Sequence, residues 1–425
     1  MSEKLFQFIW KHQLFDTTQL FTTENQSVLI LQPGIANNDA GPDFLEAKIK
    51  IDSTYWVGNI ELHLKSSDWM LHEHQTDKKY SNIILHVVLD DDVQHHLLSE
   101  KYFPTLTLRN KISLDLLGRF EQLMKMGSVL PCNAYLPQVN SVQLKAWFER
   151  LLVERFEMKI ESMHQVLVQN HSNWQELLYI QIAKCFGLII NQHEFEALAQ
   201  SIPLKLILKH RKNLFQLEAL LFGQAGFLQD YFEHSYPIQL QTEYSYLATM
   251  YHLQGMEKSR WKFLRLRPSS FPTIRIAQFA KFLFNHVDHL FDLITLNNPK
   301  LLETYFKIEL NGFWQNHYTL HESSVEKIKQ TGPTFFQGIL LNAIIPIQFL
   351  YGKLQAEDRY CDEAFQLLQE LPYEFNKHTK EYKSLQFPSE HAGHSQATLQ
   401  LKHRYCESRR CLDCSIGFSI LKNPV

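Results

Sequence analysis

Residues 41–89 read GPDFLEAKIKIDSTYWVGNIELHLKSSDWMLHEHQTDKKYSNIILHVVL. Leu45, Ala47, Ile49 and Ile51 alternate with Glu46, Lys48 and Lys50, the period of a half-buried strand. Asp52-Ser53-Thr54 is a turn. Tyr55 to Lys65 then alternates again, with Trp56, Ile60, Leu62 and Leu64 on one face and Asn59, Glu61, His63 and Lys65 on the other. Ser66-Ser67-Asp68 supplies a helix N-cap, and the spacing predicts a helix reaching Tyr80. Asn82 to Leu89 is a nearly continuous apolar strand. Upstream, Leu5, Phe8, Ile9 and Leu14 keep helical spacing, and Val28 to Gln32 is a short strand stopped by Pro33-Gly34. Thr105 to Leu108 offers one more strand. The expected order is α-β-β-β-α-β, closing by residue 110–125.

Asp43 stands at the mouth of one predicted strand, and Glu61 lies on the polar face of the next, with His63 and Lys65 beside it at period two. A central strand carrying Glu, His and Lys on one face is costly unless those groups are paired or functional. If the two strands form a hairpin, Asp43 and Glu61 converge on one hard divalent cation, Mg²⁺ or Mn²⁺. Such a metal polarises a phosphoryl oxygen and acidifies its bound water, and a basic residue beyond the acid, His63 or Lys65, orients that water. His72 and His74, at i and i+2 of a helix, do not share a face. One of them reaches over the strand site and the other is a surface or capping residue. A zinc hydrolase built on His72 and His74 would need a further His or carboxylate from elsewhere. His86, inside an apolar strand, reads as a core histidine.

These residues resemble the PD-(D/E)xK nuclease superfamily. Pro42-Asp43 corresponds to its first acid, Glu61 to its second, and the predicted element order to its core. The residue two beyond Glu61 is His63, where the motif has Lys, and Lys65 is the nearest lysine on that face. The resemblance covers residues 1–110. It implies a restriction-endonuclease-like fold and a metal-dependent nuclease with Asp43 and Glu61 as Mg²⁺ ligands and His63, Lys65, His72 and His74 in the catalytic site. The alternative is a catalytically inactive nuclease-like scaffold, a nucleic-acid or protein adaptor held by structural zinc. The whole chain also resembles a bacterial family of unknown function that carries N-x-x-GPDF, GN-(I/V)-E-(I/L)-H, SSDW and H-x-H, here Asn38, Gly41–Phe44, Gly58–His63, Ser66–Trp69 and His72/His74.

From about residue 130 helical periodicity replaces alternation. Leu144, Phe148, Leu151, Leu152, Phe156, Ile160, Met163 and Leu167 form one apolar stripe. Asn173 to Phe186 is a second helix, with Gly187 as its left-handed terminator. Further helices are expected at 193–200, 213–222, 242–253, 274–294, 324–330, 335–351 and 361–370, and a polar loop from Tyr373 to Ser395. The fold class is therefore α+β. An αβββαβ domain over 1–125 is followed by a large all-α domain over 126–372 and a Cys-rich, metal-binding segment over 373–425.

With 425 residues and 45% hydrophobic content the chain has ample core for two or three domains. A formal net charge of -3 restricts any nucleic-acid surface to a local patch. The candidate lies between Lys258 and Val287, which holds no acid. Arg260, Lys262, Arg265, Arg267 and Arg275 alternate there with Trp261, Phe263 and Phe271, a pattern suited to phosphate contact and base stacking. A solvated helix face over core aromatics is the other reading.

Of six cysteines, Cys406, Cys411 and Cys414 crowd together in a C-x4-C-x2-C pattern. They suit Zn²⁺ with Cys361 or His403 as fourth ligand, or a [4Fe–4S] cluster completed by Cys361 or Cys132. The start lacks a signal-peptide pattern, and the most apolar run, Ile339 to Leu350, is broken by Asn342, Pro346 and Gln348. A cytoplasmic protein that meets nucleic acid and no membrane is expected.

Overall fold

In the first helix, α1 (Glu3–Lys11), Leu5, Phe6, Phe8, Ile9 and Trp10 are all buried, and Ser2 caps its start by accepting from the Leu5 N–H. The computed structural model describes residues 1–93, 103–125, 130–385 and 387–422. The structure is mixed α+β, a sheet-rich N-terminal region followed by a large helical one. It forms two compact units, one of Met1–Trp147, Ser384–Gln386 and Leu401–Val425, the other of Phe148–Lys383 and Phe387–Gln400. The stretch expected as one C-terminal segment is divided between them, Leu401–Val425 in the first unit and Phe387–Gln400 in the second.

The first unit is built on a mixed sheet of β1 (Leu20–Phe21), β2 (Ser27–Gln32), β3 (Ile35–Ala36), β4 (Phe44–Ile51), β5 (Thr54–Lys65), β6 (Ile83–Asp90) and β7 (Thr105–Thr107). Its order is β1-β2-β4-β5-β6-β7, with β3 pairing β4. The predicted hairpin is β4–β5, antiparallel and turning at Ile51↔Thr54. β6 then joins β5 in parallel, with Glu61 opposite His86, and β7 joins β6 in parallel. The α1 side chains pack on Phe44, Ala47, Ile49, Ile60, Leu62, Leu85 and Val87. The Trp10 indole N–H donates to the Pro33 carbonyl at 3.0 Å, pinning α1 to the β2–β3 turn. The strand order read from sequence is present, with two short strands added.

The helix expected to run from Asp68 to Tyr80 does not form. One turn, α2 (Asp68–Leu71), is followed by turns and a short 3-10 helix at Lys78–Tyr80. Glu73 is left-handed (φ 56°), a conformation no right-handed helix can contain, and the His74 N–H bonds back to the Trp69 carbonyl at 3.3 Å.

The second unit is helical. Its long helix runs Ser141–Gln169 and buries Phe148, Leu151, Phe156, Ile160, Met163 and Leu167, the stripe read from sequence. Gly187 is not left-handed (φ -68°); Leu188 is (φ 53°). Glycine is required at 187 because a Cβ there would meet the Asn191 carbonyl oxygen at 2.3 Å. The helix expected at 324–330 is absent. Lys329–Gln330 pairs with Glu309–Leu310 as a two-stranded ribbon, and the Lys329 ammonium donates to the Gln315 carbonyl at 2.7 Å. The stretch from Tyr373 to Ser395, expected as loop, contains the helix Lys380–Lys383 and the start of Ala392–Gln400. Pro333–Gln355 is long and apolar enough to cross a membrane, yet 78% of that window is buried inside the protein, as a core helix would be.

Candidate functional site

The register of β4 against β5 slips between Phe44 and Ala47, where Glu46 is left-handed (φ 57°). A bulge of this kind re-aims the end of a strand, and Asp43 stands just beyond it. The Asp43 N–H donates to Glu61 Oε2 at 2.9 Å, and Asp43 Oδ2 accepts from the Leu62 N–H at 3.1 Å. Gln7 of α1 donates to Asp43 Oδ1 at 2.7 Å. The two predicted acids therefore meet across the hairpin. Burial lifts the Asp43 carboxyl to about 7, and the Glu61 charge adds to the rise.

Glu61 and His63 are buried on the same face of β5. The turn after β5 is tied by Asp92, which accepts from Ser66 Oγ, the Ser67 N–H and Ser67 Oγ at 3.1, 3.0 and 2.9 Å. Because α2 is one turn long, His72 closes it and the chain reverses at Glu73. Both His72 and His74 are thereby brought to His63, with ring centroids 5.0 and 5.2 Å away. The expectation that an i, i+2 pair would diverge fails because the segment is not helical there. His63 Nε2 lies 3.2 Å from His72 Nδ1, and His74 Nε2 lies 3.3 Å from Glu61 Oε1. His63 Nε2 is 3.7 Å from the same Glu61 oxygen. One ring nitrogen from each of the three histidines lies within 4.8 Å of those of the other two.

On its far side, His63 Nδ1 meets His86 Nε2 at 2.9 Å. Burial, then the neighbouring His86, His74 and His72, push His63 down to about 2. It is a neutral imidazole at any physiological pH and supplies no positive charge where the resembling motif has lysine. Lys65, at the exposed end of β5, offers its backbone N–H to Asp68 Oδ2 at 3.0 Å, and its side chain is solvent-facing. Trp69, Tyr80 and Phe103 wall the cluster: Tyr80 stacks on His74 at 3.9 Å and Trp69 meets Phe103 at 4.4 Å. Burial pushes the Tyr80 hydroxyl up to about 12, helped by the Glu61 and Asp43 charges.

His86, Gln7 and Tyr80 were not among the candidate site residues. His86 became visible only through the parallel register of β6 on β5. Gln7 carried a signal, a lone amide inside the run LFQFIW.

A family model described as "Protein of unknown function (DUF2851)" matches residues 3–377. The chain belongs to this family. No curated protein and no solved structure matches it. The resemblance to an uncharacterised family read from GPDF, GNIELH, SSDW and H-x-H is thereby borne out.

Elsewhere in this DUF2851 chain, Arg260, Lys262, Arg265 and Arg267 are exposed. Arg275 is not available in the same way. It lies over the Phe335 ring at 4.5 Å, donates to Gln278 at 3.0 Å, and burial lowers its guanidinium to about 10. The aromatics of that segment are core groups: Trp261 donates to the Ala225 carbonyl at 2.8 Å, and Phe263 packs edge-on to Phe227 and Phe271. They are not free to stack on bases.

Cys406, Cys411 and Cys414 come together, and Cys132 joins them at one small cavity. Of the expected fourth ligands, Cys132 is at this cavity, and Cys361 and His403 lie elsewhere. The Cys361 thiol faces the Phe349 carbonyl at 3.6 Å, and the exposed His403 pairs with Glu407 at 2.9 Å.

Proposed function

We propose that the first unit is a metal-dependent phosphodiester hydrolase on a restriction-endonuclease-like core, acting on nucleic acid. The observation that carries this reading is the meeting of Asp43 and Glu61 across the β4–β5 hairpin, beside three histidines and next to a parallel β6. The donor set fits a metal. One ring nitrogen from each of His63, His72 and His74 lies within 4.8 Å of the other two, close enough for the three to converge on one ion whose ligands stand about 3.3–3.4 Å apart. His74 Nε2 is buried and faces Glu61 Oε1 at 3.3 Å, so it is turned toward the carboxylate at the centre of the cluster.

Imidazoles beside a carboxylate favour Zn²⁺ or Mn²⁺ over the Mg²⁺ expected from two carboxylates alone. His63, His72 and His74 would hold the ion, with the Glu61 carboxylate beside His63 and His74. His86 would accept from His63 Nδ1–H and so leave Nε2 free to ligate. Asp43, fixed by Gln7 and the Leu62 N–H, would position the attacking water. Its oxygen bonds to phosphorus, the P–O ester bond breaks, the water proton passes to Asp43, and the leaving oxygen is protonated from solvent. The exposed cations at 260–267 support a polyanionic substrate.

The test is cleavage of single- and double-stranded DNA and RNA by metal-depleted protein resupplied with Mn²⁺, Zn²⁺ or Mg²⁺. Cleavage with Mn²⁺ or Zn²⁺, lost in Asp43→Asn and Glu61→Gln, is expected. No cleavage under any condition, or full activity in Glu61→Gln, overturns the reading. One observation favours a second reading, a non-cleaving adaptor: the neutral His63 stands where the resembling motif has lysine. Nucleic-acid binding with no cleavage in the same assay would support it.

A further inference from the structure

The sheet face turned away from α1 carries the candidate site at one end of β5 and large exposed side chains at the other. Along β5 the odd positions Tyr55, Val57, Asn59, Glu61 and His63 share that face. Glu61 and His63 are buried at the site, whereas Tyr55 and Val57 stand 68% and 64% exposed. The register extends the exposed part across two more strands. Leu29 of β2, Lys50 of β4 and Tyr55 of β5 form one row, and Lys48 pairs with Val57 in the next row toward the site. Phe21 of β1, opposite Ser27, adds an exposed aromatic at the edge.

These rows hold two cations and no acid. The nearby Asp52 carboxylate is taken up by Ser27, accepting from its N–H at 2.9 Å and from its Oγ at 3.1 Å, which also ties β2 to the β4–β5 turn. Lys50 Nζ lies 5.3 Å from the centre of the Tyr55 ring, so a charge that can meet phosphate stands beside a surface that can stack on a base. Trp261 is a core group, but Tyr55 and Phe21 are exposed. Tyr55 precedes Glu61 on the same strand by about 20 Å at the usual rise per residue.

We infer, on the reading of the first unit as a phosphodiester hydrolase, that this face is the track along which single-stranded nucleic acid reaches Glu61 and His63. Bases stack on Tyr55 and Phe21, and Lys48 and Lys50 neutralise phosphates. The strand is single because only an unpaired, unstacked base can lie on an aromatic side chain. A contiguous exposed apolar patch marks an interaction site, and here its charge selects the occupant. A second copy docked face to face would bring its own Lys48 and Lys50 to the same surface, whereas a phosphate backbone pairs with them.

The experiment is fluorescence-anisotropy titration of labelled oligo(dT) and oligo(U), and of a DNA duplex, with full-length protein depleted of metal, so that binding is read without cleavage. Tyr55→Ala should weaken single-strand binding about 5–150-fold. Tyr55→Phe should keep it, since stacking does not need the hydroxyl. Lys48→Ala and Lys50→Ala together should flatten the log–log salt dependence by about 0.7 for each phosphate no longer neutralised. Val57→Glu places a negative charge on the track, should weaken binding by repulsion, and decides if Tyr55→Ala does not fold. Unchanged single-strand affinity in folded Tyr55→Ala overturns the track, and so does an equal loss of duplex binding. A dimer seen by sedimentation and dissolved by Tyr55→Ala assigns the face to a second copy and also overturns it. Hydrolysis is judged separately: wild type that cleaves while its binding ignores Tyr55 loses the track and keeps the hydrolase, and wild type that binds through Tyr55 without cleaving does the reverse.

Discussion

Replacing His86 tests the site without touching a proposed ligand. His86 is fully buried, and its Nε2 stands 2.9 Å from His63 Nδ1. His86→Leu keeps an apolar group of similar bulk in β6 but leaves the His63 Nδ1–H without its acceptor. An orphaned buried donor costs about 1–3 kcal/mol, and loss of the partner that orients a metal-bound imidazole lowers metal affinity about 10–100-fold. The two ranges agree, because each tenfold change is about 1.4 kcal/mol. His86→Gln restores an amide oxygen that can accept from His63 and should recover much of the loss. Calorimetric titration of Mn²⁺ and Zn²⁺ into metal-free wild type and both variants reads the effect directly, with thermal unfolding as the control for folding. Equal affinities in all three folded proteins would refute the assignment of His63 as a ligand whose tautomer is set by His86.

Three further outcomes follow from other parts of the structure. Glu218 is buried, accepts from Trp314 Nε1 at 2.8 Å and from the Tyr236 hydroxyl, and burial raises its carboxyl from 4.5 to about 7. The folded state therefore keeps a proton that the unfolded state has lost. Stability should fall by up to about 3 kcal/mol as pH rises from 4.5 to 7, and denaturant titrations of Glu218→Gln should lack this component. The quadruple Ala variant at Arg260, Lys262, Arg265 and Arg267 should weaken duplex DNA binding and flatten its salt dependence by about 0.9 in log–log slope for each phosphate that is no longer neutralised; unchanged slopes would remove this patch from the interface. Gly417→Ala forces a Cβ against the Cys411 carbonyl and should cost about 1–3 kcal/mol, visible as a lower unfolding temperature.

Local pattern was enough to read the β4–β5 hairpin, the β6 strand and the long helix from Ser141, because in each the burial period is carried by consecutive residues. It was not enough at Glu73. The sequence SSDWMLHEH carries a good helix start, and what stops the helix is the left-handed Glu73, while its start is fixed by the Asp92 lock on Ser66 and Ser67, an interaction that spans 25 residues of sequence. The same limit hid His86, whose role needs the parallel register with Glu61. At 324–330, where a helix was expected, Val325 and Ile328 are both exposed, at 89% and 60%. Anchoring of Lys329 to the main-chain carbonyls of Trp314 and Gln315 selects the ribbon instead.

The histidine at position 63 changes what the site can do. A lysine there would bring a fixed charge to stabilise a phosphoryl oxygen and would leave the metal to carboxylates. His63 cannot act that way, since burial among three other imidazoles holds it neutral. What it can offer is a lone pair, and the broken helix delivers two more from His72 and His74 within ligand reach. On the proposed function, exchange of ammonium for imidazole would go with a shift from oxygen toward nitrogen ligation, and with it from a hard cation to a borderline one. The shortened α2, which looks like a defect in a helix, is the feature that makes this exchange consistent: with a full helix, His72 and His74 would point apart and His63 would be a buried imidazole with nothing to bind.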